Sequence, residues 1–569
     1  MKLPYGQSNF KNIAQEFYYV DRTMYIERLE AQNNRFLFYL RPRKFGKSLF
    51  VSMLEHYYGQ QHQADFQQNF GRFYIGRQPT PLANQYLVLK FDFSGIKTDD
   101  RKALEQQFAN KVRLGILAFM SAYRAYFTAA DRQAIQAQPS GNEAIGLLFE
   151  LVREKVPSGK LYILIDEYDH FANELVAFYL DDFKAIVSRN GFMRKFFELI
   201  KVETASGLVE RLFATGVSPV TLDSLTSGFN IAVKLSEDLK LHDMMGFTEE
   251  ETISMLSFAG VAEKDMPGII RDLRDWYNGY CFNPDAPHRL YNPEMVIYFA
   301  NHYEQYKVYP EELLDENIAS DYNKLQRMLQ VGGAEMGFAT MEEVLSKSWV
   351  RAALTKQFTF ERPWTPDDQV SLLYYLGMLT VKERALGGGW AFQVPNLAIH
   401  QLYYKFFFDK LRERAELQDS IFVDTREAVI RMSVDNELGP LLAVIEQVLA
   451  RLSNRDMRGG FNEGHLKAVV ASLLVPSRVY LVRSEPEAER KYVDLLCIAL
   501  PKVRVNWNFA FELKYLKKQD AGQLEAKAEE AKTQLEGYLQ TEDLQRVEHL
   551  AAYAIVFVGA EAKSVVRVR

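Results

Sequence analysis

The stretch Arg35-Phe-Leu-Phe-Tyr-Leu-Arg-Pro-Arg-Lys-Phe-Gly-Lys-Ser48 decides the fold of the N-terminal half. A near-continuous apolar run leads into Gly46-Lys47-Ser48, and helical spacing follows over Ser48–Tyr58. Strand, glycine-bearing loop and helix in that order form the context in which a loop cradles a phosphate. Backbone N–H groups at the helix start point at the anion, and the helix dipole favours it. Lys47 would reach the β- and γ-phosphates, and Ser48 would give its hydroxyl to Mg²⁺. The first glycine of the GxxxxGK[ST] pattern is replaced by Arg41, so the loop must turn without it, with Pro42 as the candidate helper.

Working outward, Tyr86–Phe93, Leu161–Ile165 and Arg211–Thr215 read as further buried strands, with helical spacing in segments such as Arg101–Phe127. Alternation of apolar strands with helices implies an α/β fold with a parallel sheet covered on both faces. The strand Leu161–Ile165 ends in Asp166-Glu167. A carboxylate at a strand's C-terminal tip sits where the loop delivers phosphates. Asp166 would hold Mg²⁺ and Glu167 would polarise the attacking water as general base. The strand Leu212–Val217 runs into Ser218, and Thr215 or Ser218 would offer a hydroxyl to the γ-phosphate; a plain Gly-Val-Ser-Pro turn accounts for these residues equally well.

The chain has 569 residues, 48% hydrophobic and 25% charged, which excludes a disordered or collagenous protein. At about 150 residues per domain, three or four domains are expected. Lys plus Arg number 68 against 74 Asp plus Glu, a net charge of −6, so bulk attraction to nucleic acid is excluded while a local basic groove is not. The two cysteines, Cys281 and Cys497, form neither a disulfide framework nor a four-cysteine zinc site and read as reduced core residues of a cytoplasmic protein. No run approaches the length of a membrane span, and no signal or lipidation segment is evident at either end. The expected organisation is a nucleotide-binding core over 1–240, a helical extension over 241–335, a helical or winged-helix-like linker over 336–415, and a second α/β domain over 420–569. The linker reading rests on a helix at Asp368–Leu376 followed by strands Met378–Arg384 and Trp390–Val394 about Ala385-Leu-Gly-Gly-Gly389; an ordinary hairpin fits the same pattern.

Leu3-Pro-Tyr-Gly, Tyr19-Val-Asp-Arg-Thr, the Arg41–Ser48 loop, Ile165-Asp-Glu-Tyr-Asp, Thr215-Gly-Val-Ser-Pro, Ser227-Gly-Phe-Asn, Gly246-Phe-Thr-Glu-Glu-Glu and Trp276-Tyr-Asn-Gly-Tyr occur in this order. Together they resemble the AAA-ATPase-like family over roughly residues 1–300. The resemblance implies a RecA-like P-loop ATPase core. It also accounts for Arg41, since Arg-Pro-Arg-x-Phe-Gly-Lys is that family's loop. It further implies that Arg43, Phe45, Gly46, Lys47 and Ser48 surround the nucleotide. Members commonly carry a PD-(D/E)XK nuclease domain at the C-terminus.

The C-terminal region fits that expectation. Strands are predicted at Val479–Val482, Val493–Leu500, Asn508–Leu516 and Tyr553–Val558, with a helix at Gln523–Tyr538. Within them lie Asp494 and Glu512-Leu-Lys514. On a strand, residues i and i+2 face one side, so Glu512 and Lys514 project together. Two carboxylates converging on Mg²⁺ or Mn²⁺ suit hard-cation chemistry, and Lys514 would orient the attacking water. Glu463, a further candidate metal ligand, lies with His465 and Lys467 on a preceding helical stretch, and Gln534 with Tyr538 on a following one. The set resembles the PD-(D/E)XK, restriction-endonuclease-like fold. It departs where relatives often have Gly-Arg-x-Asp and this chain has Lys491-Tyr-Val-Asp494. The expected activities are Mg²⁺-dependent ATP hydrolysis and metal-dependent phosphodiester cleavage, with DNA as the expected nucleic-acid partner and a homo-oligomer left open. The competing reading is a nucleotide switch whose C-terminal domain binds nucleic acid or a protein without cutting.

Overall fold

The computed structural model describes residues 1–96, 101–170, 191–219, 229–314, 329, 333–358, 362–418, 420–452, 460–484, 493–500 and 503–569, without the side chains of 101, 102 and 334. Ser227, Gly228, Lys491 and Tyr492, which figure in the sequence reading, lie outside the described residues. Contacts divide the chain into two compact units. The first comprises Met1–Val308, Asn323–Gly332 and Arg351–Pro395, and the second Tyr309–Tyr322, Gly333–Val350 and Asn396–Arg569.

The first unit is built on five strands: β1 (Phe36–Leu40), β2 (Leu87–Asp92), β3 (Leu161–Asp166), β4 (Val209–Gly216) and β5 (Val233–Lys234). Their order is β2-β3-β4-β1-β5, and every pairing is parallel. All six residues of β3 are buried, as a strand covered on both faces requires. Helix α1 (Lys47–Tyr58) packs on β2, β3 and β4, while α2 (Arg101–Ala122) lies on β2. Helix α3 (Gly141–Lys155) bridges α2 and α4 (Phe192–Ala205). Helix α5 (Met266–Tyr277) ends at Asn278. A three-stranded sheet ordered β6-β8-β7 comprises β6 (Val350–Ala352), β7 (Thr380–Arg384) and β8 (Trp390–Gln393). The β7–β8 hairpin turns on Gly387, Gly388 and Gly389, all at positive φ. It is the expected pair of strands about a glycine turn, and it falls in the first unit together with the preceding helix Pro366–Tyr375.

Two blocks quoted from the sequence meet inside this unit. The Arg22 guanidinium pairs with Glu251 and donates to the Gly246 carbonyl at 2.6 Å. Thr248 and Glu251 form a capping box at the start of the helix Glu249–Phe258.

The second unit contains α6 (Ala334–Lys347), α7 (Glu463–Leu474), α8 (Leu524–Tyr538) and strands β9 (Tyr480–Ser484), β10 (Leu495–Ala499), β11 (Asn508–Leu516), β12 (Leu550–Val558) and β13 (Glu561–Arg567). The order is β13-β12-β11-β10-β9, antiparallel except for β11 and β12. That parallel pair is joined by α8, because parallel neighbours need a crossover. Ala510, Ala552 and Ala554 share a core with Ala531 and Leu535 of α8, their small side chains letting the helix approach the sheet closely. Helix α7 packs on β9 and β11 and so brings its first turn to the sheet. Among the described residues, no helix is long and apolar enough to cross a membrane.

Candidate active sites in the two units

The loop after β1 turns without the usual glycine because Arg41 remains part of the sheet. Its N–H bonds to the Gly216 carbonyl at 3.2 Å, continuing the β1–β4 ladder. Its guanidinium is buried between the Tyr39 and Phe282 rings, 4.3 and 3.9 Å from their centroids. It donates to the carbonyls of Leu40, Ser236 and His242 at 3.0, 2.7 and 3.2 Å. The turn is made later, at Lys44 (φ +66°) and Gly46 (φ +89°), where the left-handed region favours glycine. Gly46 caps α1, so the first amides of that helix open at the loop. The Phe45 ring is buried edge-on against Tyr280 and Phe282 at 4.9 and 5.6 Å. The aromatic turn after α5 therefore supports the loop from beneath, and any nucleotide contact by Phe45 falls to its backbone.

Lys47 opens α1, buried, with its ammonium donating to the Arg41 and Pro42 carbonyls at 3.1 and 2.8 Å. Burial pushes its pKa down, opposed by the charges of Glu167, Asp166 and Asp169. Ser48 is exposed and hydrogen-bonded to the Asp166 carboxylate. Asp166, at the tip of β3, is pushed up to about 6 by burial, aided by the neighbouring charges of Glu167 and Asp92. Glu167 adopts φ +51° and is held down at about 2, chiefly by its hydrogen bond with His170, whose Nδ1 lies 3.1 Å away. Arg43 is near enough for its charge to act on both Lys47 and Glu167.

The end of β4 is locked to this acidic turn. Asp169 is buried and accepts from the Val217 and Ser218 amides at 3.1 and 2.6 Å. The Tyr168 hydroxyl donates to the Ser218 carbonyl at 2.6 Å. A side chain at Gly216 would place its Cβ 2.2 Å from Asp169 Oδ1, so only glycine fits. Thr215 and Ser218 are both buried, and the Thr215 hydroxyl donates to the Tyr39 carbonyl at 2.8 Å. The structure thus gathers Arg43, Lys47, Ser48, Asp166 and Glu167 at one end of the sheet, with the Thr215–Ser218 strand end anchored beside Tyr168 and Asp169. Asp92 was missed in the sequence reading. It ends β2 in register with Asp166, and the signal was an acid closing a predicted strand, as in β3.

In the second unit, Asp494 immediately precedes β10, which runs antiparallel to β11 with Leu495 opposite Phe511. Asp494 Oδ2 accepts the Leu513 amide at 2.7 Å, and Oδ1 lies 2.5 Å from the Lys467 ammonium. Glu512 and Lys514 project together from β11, joined at 2.9 Å through Glu512 Oε1. All three are at least 94% buried. Glu463, in the first turn of α7, is 3.6 Å from Lys514. His465 secures that turn, bonding with the Asn462 amide and lying 3.3 Å from Glu342 on α6. Tyr538 of α8 feels the charges of Glu512, Lys514 and Asp494, and the Gln534 Oε1 on that helix is buried without a hydrogen-bond partner.

Glu512 Oε2 is also buried without a hydrogen-bond partner. Burial, and then the Asp494 charge, push its carboxyl up to about 7. A buried carboxylate oxygen with nothing to bond costs about 1–3 kcal/mol or more, so its environment favours a proton or a cation there. Among the described residues, no three His, Cys, Asp or Glu side chains gather tightly enough to enclose a metal on their own. Mg²⁺ does not need such a cage: it is held by one or two carboxylates and keeps several waters. Asp494 and Glu512 fit that donor set, with Glu463 3.6 Å from Lys514. Lys467, which the sequence reading placed on this helical stretch without giving it a role, lies four residues after Glu463 on the same helix face and reaches Asp494.

Comparisons with known proteins find a family match in each half of the chain. A family model described as predicted AAA-ATPase matches residues 4–226, and a PD-(D/E)XK nuclease superfamily model matches residues 461–566. The resemblance read from each end of the sequence is thereby shown. A protein described as an uncharacterized protein in the vnfD 5′ region of Azotobacter chroococcum mcd 1 is 30% identical over 321 residues, 52% of this chain. The chain spans about half the length, 52%, of that curated relative.

Proposed function

We propose that the chain binds and hydrolyses ATP at the loop of its first unit and cleaves phosphodiesters, with DNA as substrate, at Asp494, Glu512 and Lys514. In this reading the first core is RecA-like, the hairpin region is a winged-helix-like linker, and nucleotide state controls cleavage. Support for the first half comes from the ladder order, in which β4 lies between the loop strand and the acidic strand. Lys47 would leave the Arg41 and Pro42 carbonyls for the β- and γ-phosphates, and Ser48 and Asp166 would hold Mg²⁺ between them. That ion would neutralise developing phosphate charge. Glu167, released from His170, would take a proton from the attacking water.

The observation that carries the second half is the buried Glu512 Oε2 without a hydrogen-bond partner beside Asp494. Asp494 and Glu512 would hold Mg²⁺ or Mn²⁺, which when bound polarises a phosphodiester and lowers the pKa of water. Lys514, fixed between Glu512 and Glu463, would orient the nucleophile. Incubation with plasmid or single-stranded DNA and Mg²⁺ or Mn²⁺ tests this. The wild type should cut and Glu512→Ala should not; no cleavage by wild type with either metal overturns it. The second reading, a nucleotide switch with a binding-only C-terminal domain, is favoured by one observation: Lys467 already pairs with Asp494.

A further inference from the structure

Four charged side chains interlock in the second unit. Asp494 has both oxygens engaged, Oδ2 by the Leu513 amide and Oδ1 by Lys467 at 2.5 Å. Glu512 has one oxygen on Lys514 and the other without a hydrogen-bond partner. The Lys467 charge acts on Glu512 as well as on Asp494. Its ammonium thus occupies the Asp494 oxygen that a cation shared by the two acids would need.

We propose that Lys467 is a built-in counter-cation that a divalent metal must displace from Asp494, so that this side chain sets the metal concentration at which the site fills. The proposal rests on the metal-site reading above and deepens it. Charge balance points the same way. With all three carboxyls ionised, the form a metal binds, Asp494, Glu512 and Glu463 against Lys467 and Lys514 leave one net negative charge. Adding a divalent ion with Lys467 in place reverses that to one net positive charge in a buried site, whereas expelling Lys467 leaves the group neutral. Uncompensated buried charge is strongly unfavourable, so exchange is preferred over addition.

The two lysines differ in their freedom to leave. Lys514 is on the sheet, with an 8% exposed side chain, held by Glu512 and Glu463. Lys467 is on a helix and 15% exposed, and its flexible four-carbon stem can carry the ammonium to water. A lysine pairs with a carboxylate as a mobile point charge, whereas an arginine would grip it through a planar fork. Arginine at this position should therefore hold Asp494 more firmly against a metal, and glutamine should release it.

The test is Mn²⁺ titration of the full-length chain without nucleotide, read by calorimetry and by the electron paramagnetic signal of free Mn²⁺. Only binding that is lost in Glu512→Gln is assigned to this site. Lys467→Gln should bind Mn²⁺ at least tenfold more tightly than wild type, and Lys467→Arg more weakly. Without metal Lys467→Gln should melt at lower temperature, and saturating Mn²⁺ should raise its Tm by more than that of wild type. Glu512-dependent binding of equal strength in wild type and both variants overturns the role of Lys467 and leaves the metal site standing. Tighter binding in Lys467→Arg than in wild type does the same. Absence of any Glu512-dependent Mn²⁺ binding in all three overturns the metal site and this proposal together.

Discussion

The loop of the first unit and the acidic site of the second are both proposed to handle phosphate chemistry, but they are built from different materials. The first is mainly backbone: a ladder extended by Arg41, two residues at positive φ and the open amides of α1. The second is mainly side chains, with carboxylates and ammoniums from α7, the start of β10 and β11 opposing one another in a buried site and the Leu513 amide holding Asp494. A backbone site is contiguous in sequence and tolerant of substitution around it. A site of opposing charges draws on Glu463, Lys467, Asp494, Glu512 and Lys514, far apart in sequence, and a change at any of them shifts its balance.

The sharpest way to break the comparison is at Glu512. Glu512→Gln should lower metal-dependent DNA cleavage by a factor of about 10³ or more while ATP turnover stays at the wild-type level, since a positioned acid–base or metal-ligand group contributes on that scale. Gel cleavage and phosphate-release assays check this side by side. Next in size, Glu167→Gln should slow ATP turnover by about 10²-fold or more, the usual weight of a general base, and leave nucleotide affinity intact. Equal turnover would remove Glu167 from the reaction.

Arg41→Gly restores the usual loop glycine and therefore asks whether the backbone site needs its arginine. The guanidinium satisfies three carbonyls. Its loss should cost about 2–3 kcal/mol in urea unfolding, because buried carbonyls lose charged hydrogen bonds. A neutral or stabilising result would mean that glycine serves equally well here.

Acidity separates the two sites by a smaller margin. Glu512 is pushed up to about 7 and Asp166 to about 6. A metal binds the carboxylate form, so apparent Mn²⁺ affinity at the second site should fall as pH drops below about 7, by up to about tenfold per unit. Mg²⁺-nucleotide binding at the first should hold until about pH 6. For stability the sign is reversed. The folded state keeps a proton on Glu512 that the unfolded state has released between its ordinary value and about 7, so metal-free stability falls as pH rises through that window. Glu512→Gln should remove this fall, as thermal melts between pH 5 and pH 8 would show.

The same contrast explains what was legible in the sequence. The strands predicted at Arg35–Leu40 and Leu161–Ile165 match β1 and β3 to within one residue at each end, because strands buried on both faces are apolar throughout. The edge strand β13 (Glu561–Arg567) was not read. Its residues alternate between exposed and half-buried, and Glu561, Lys563 and Arg567 disguise it as a tail. The two-residue strand β5 is too short to leave a period. Asp494, Glu512 and Lys514 were legible from strand spacing. Asp92 and the role of Lys467 depend on register and helix docking, which exist only once distant segments meet. The seat of Arg41 between Tyr39 and Phe282 is likewise a tertiary fact, joining residues more than 240 positions apart.

The most direct test of two separate chemistries in one chain is a single reaction containing plasmid DNA, ATP and Mg²⁺ or Mn²⁺, scored at once for phosphate release and strand cleavage. Wild type should do both, Glu512→Gln should hydrolyse ATP and leave the DNA intact, and Lys47→Ala should release no phosphate. Wild type that does neither, or Glu512→Gln that cuts as fast as wild type, would contradict the account.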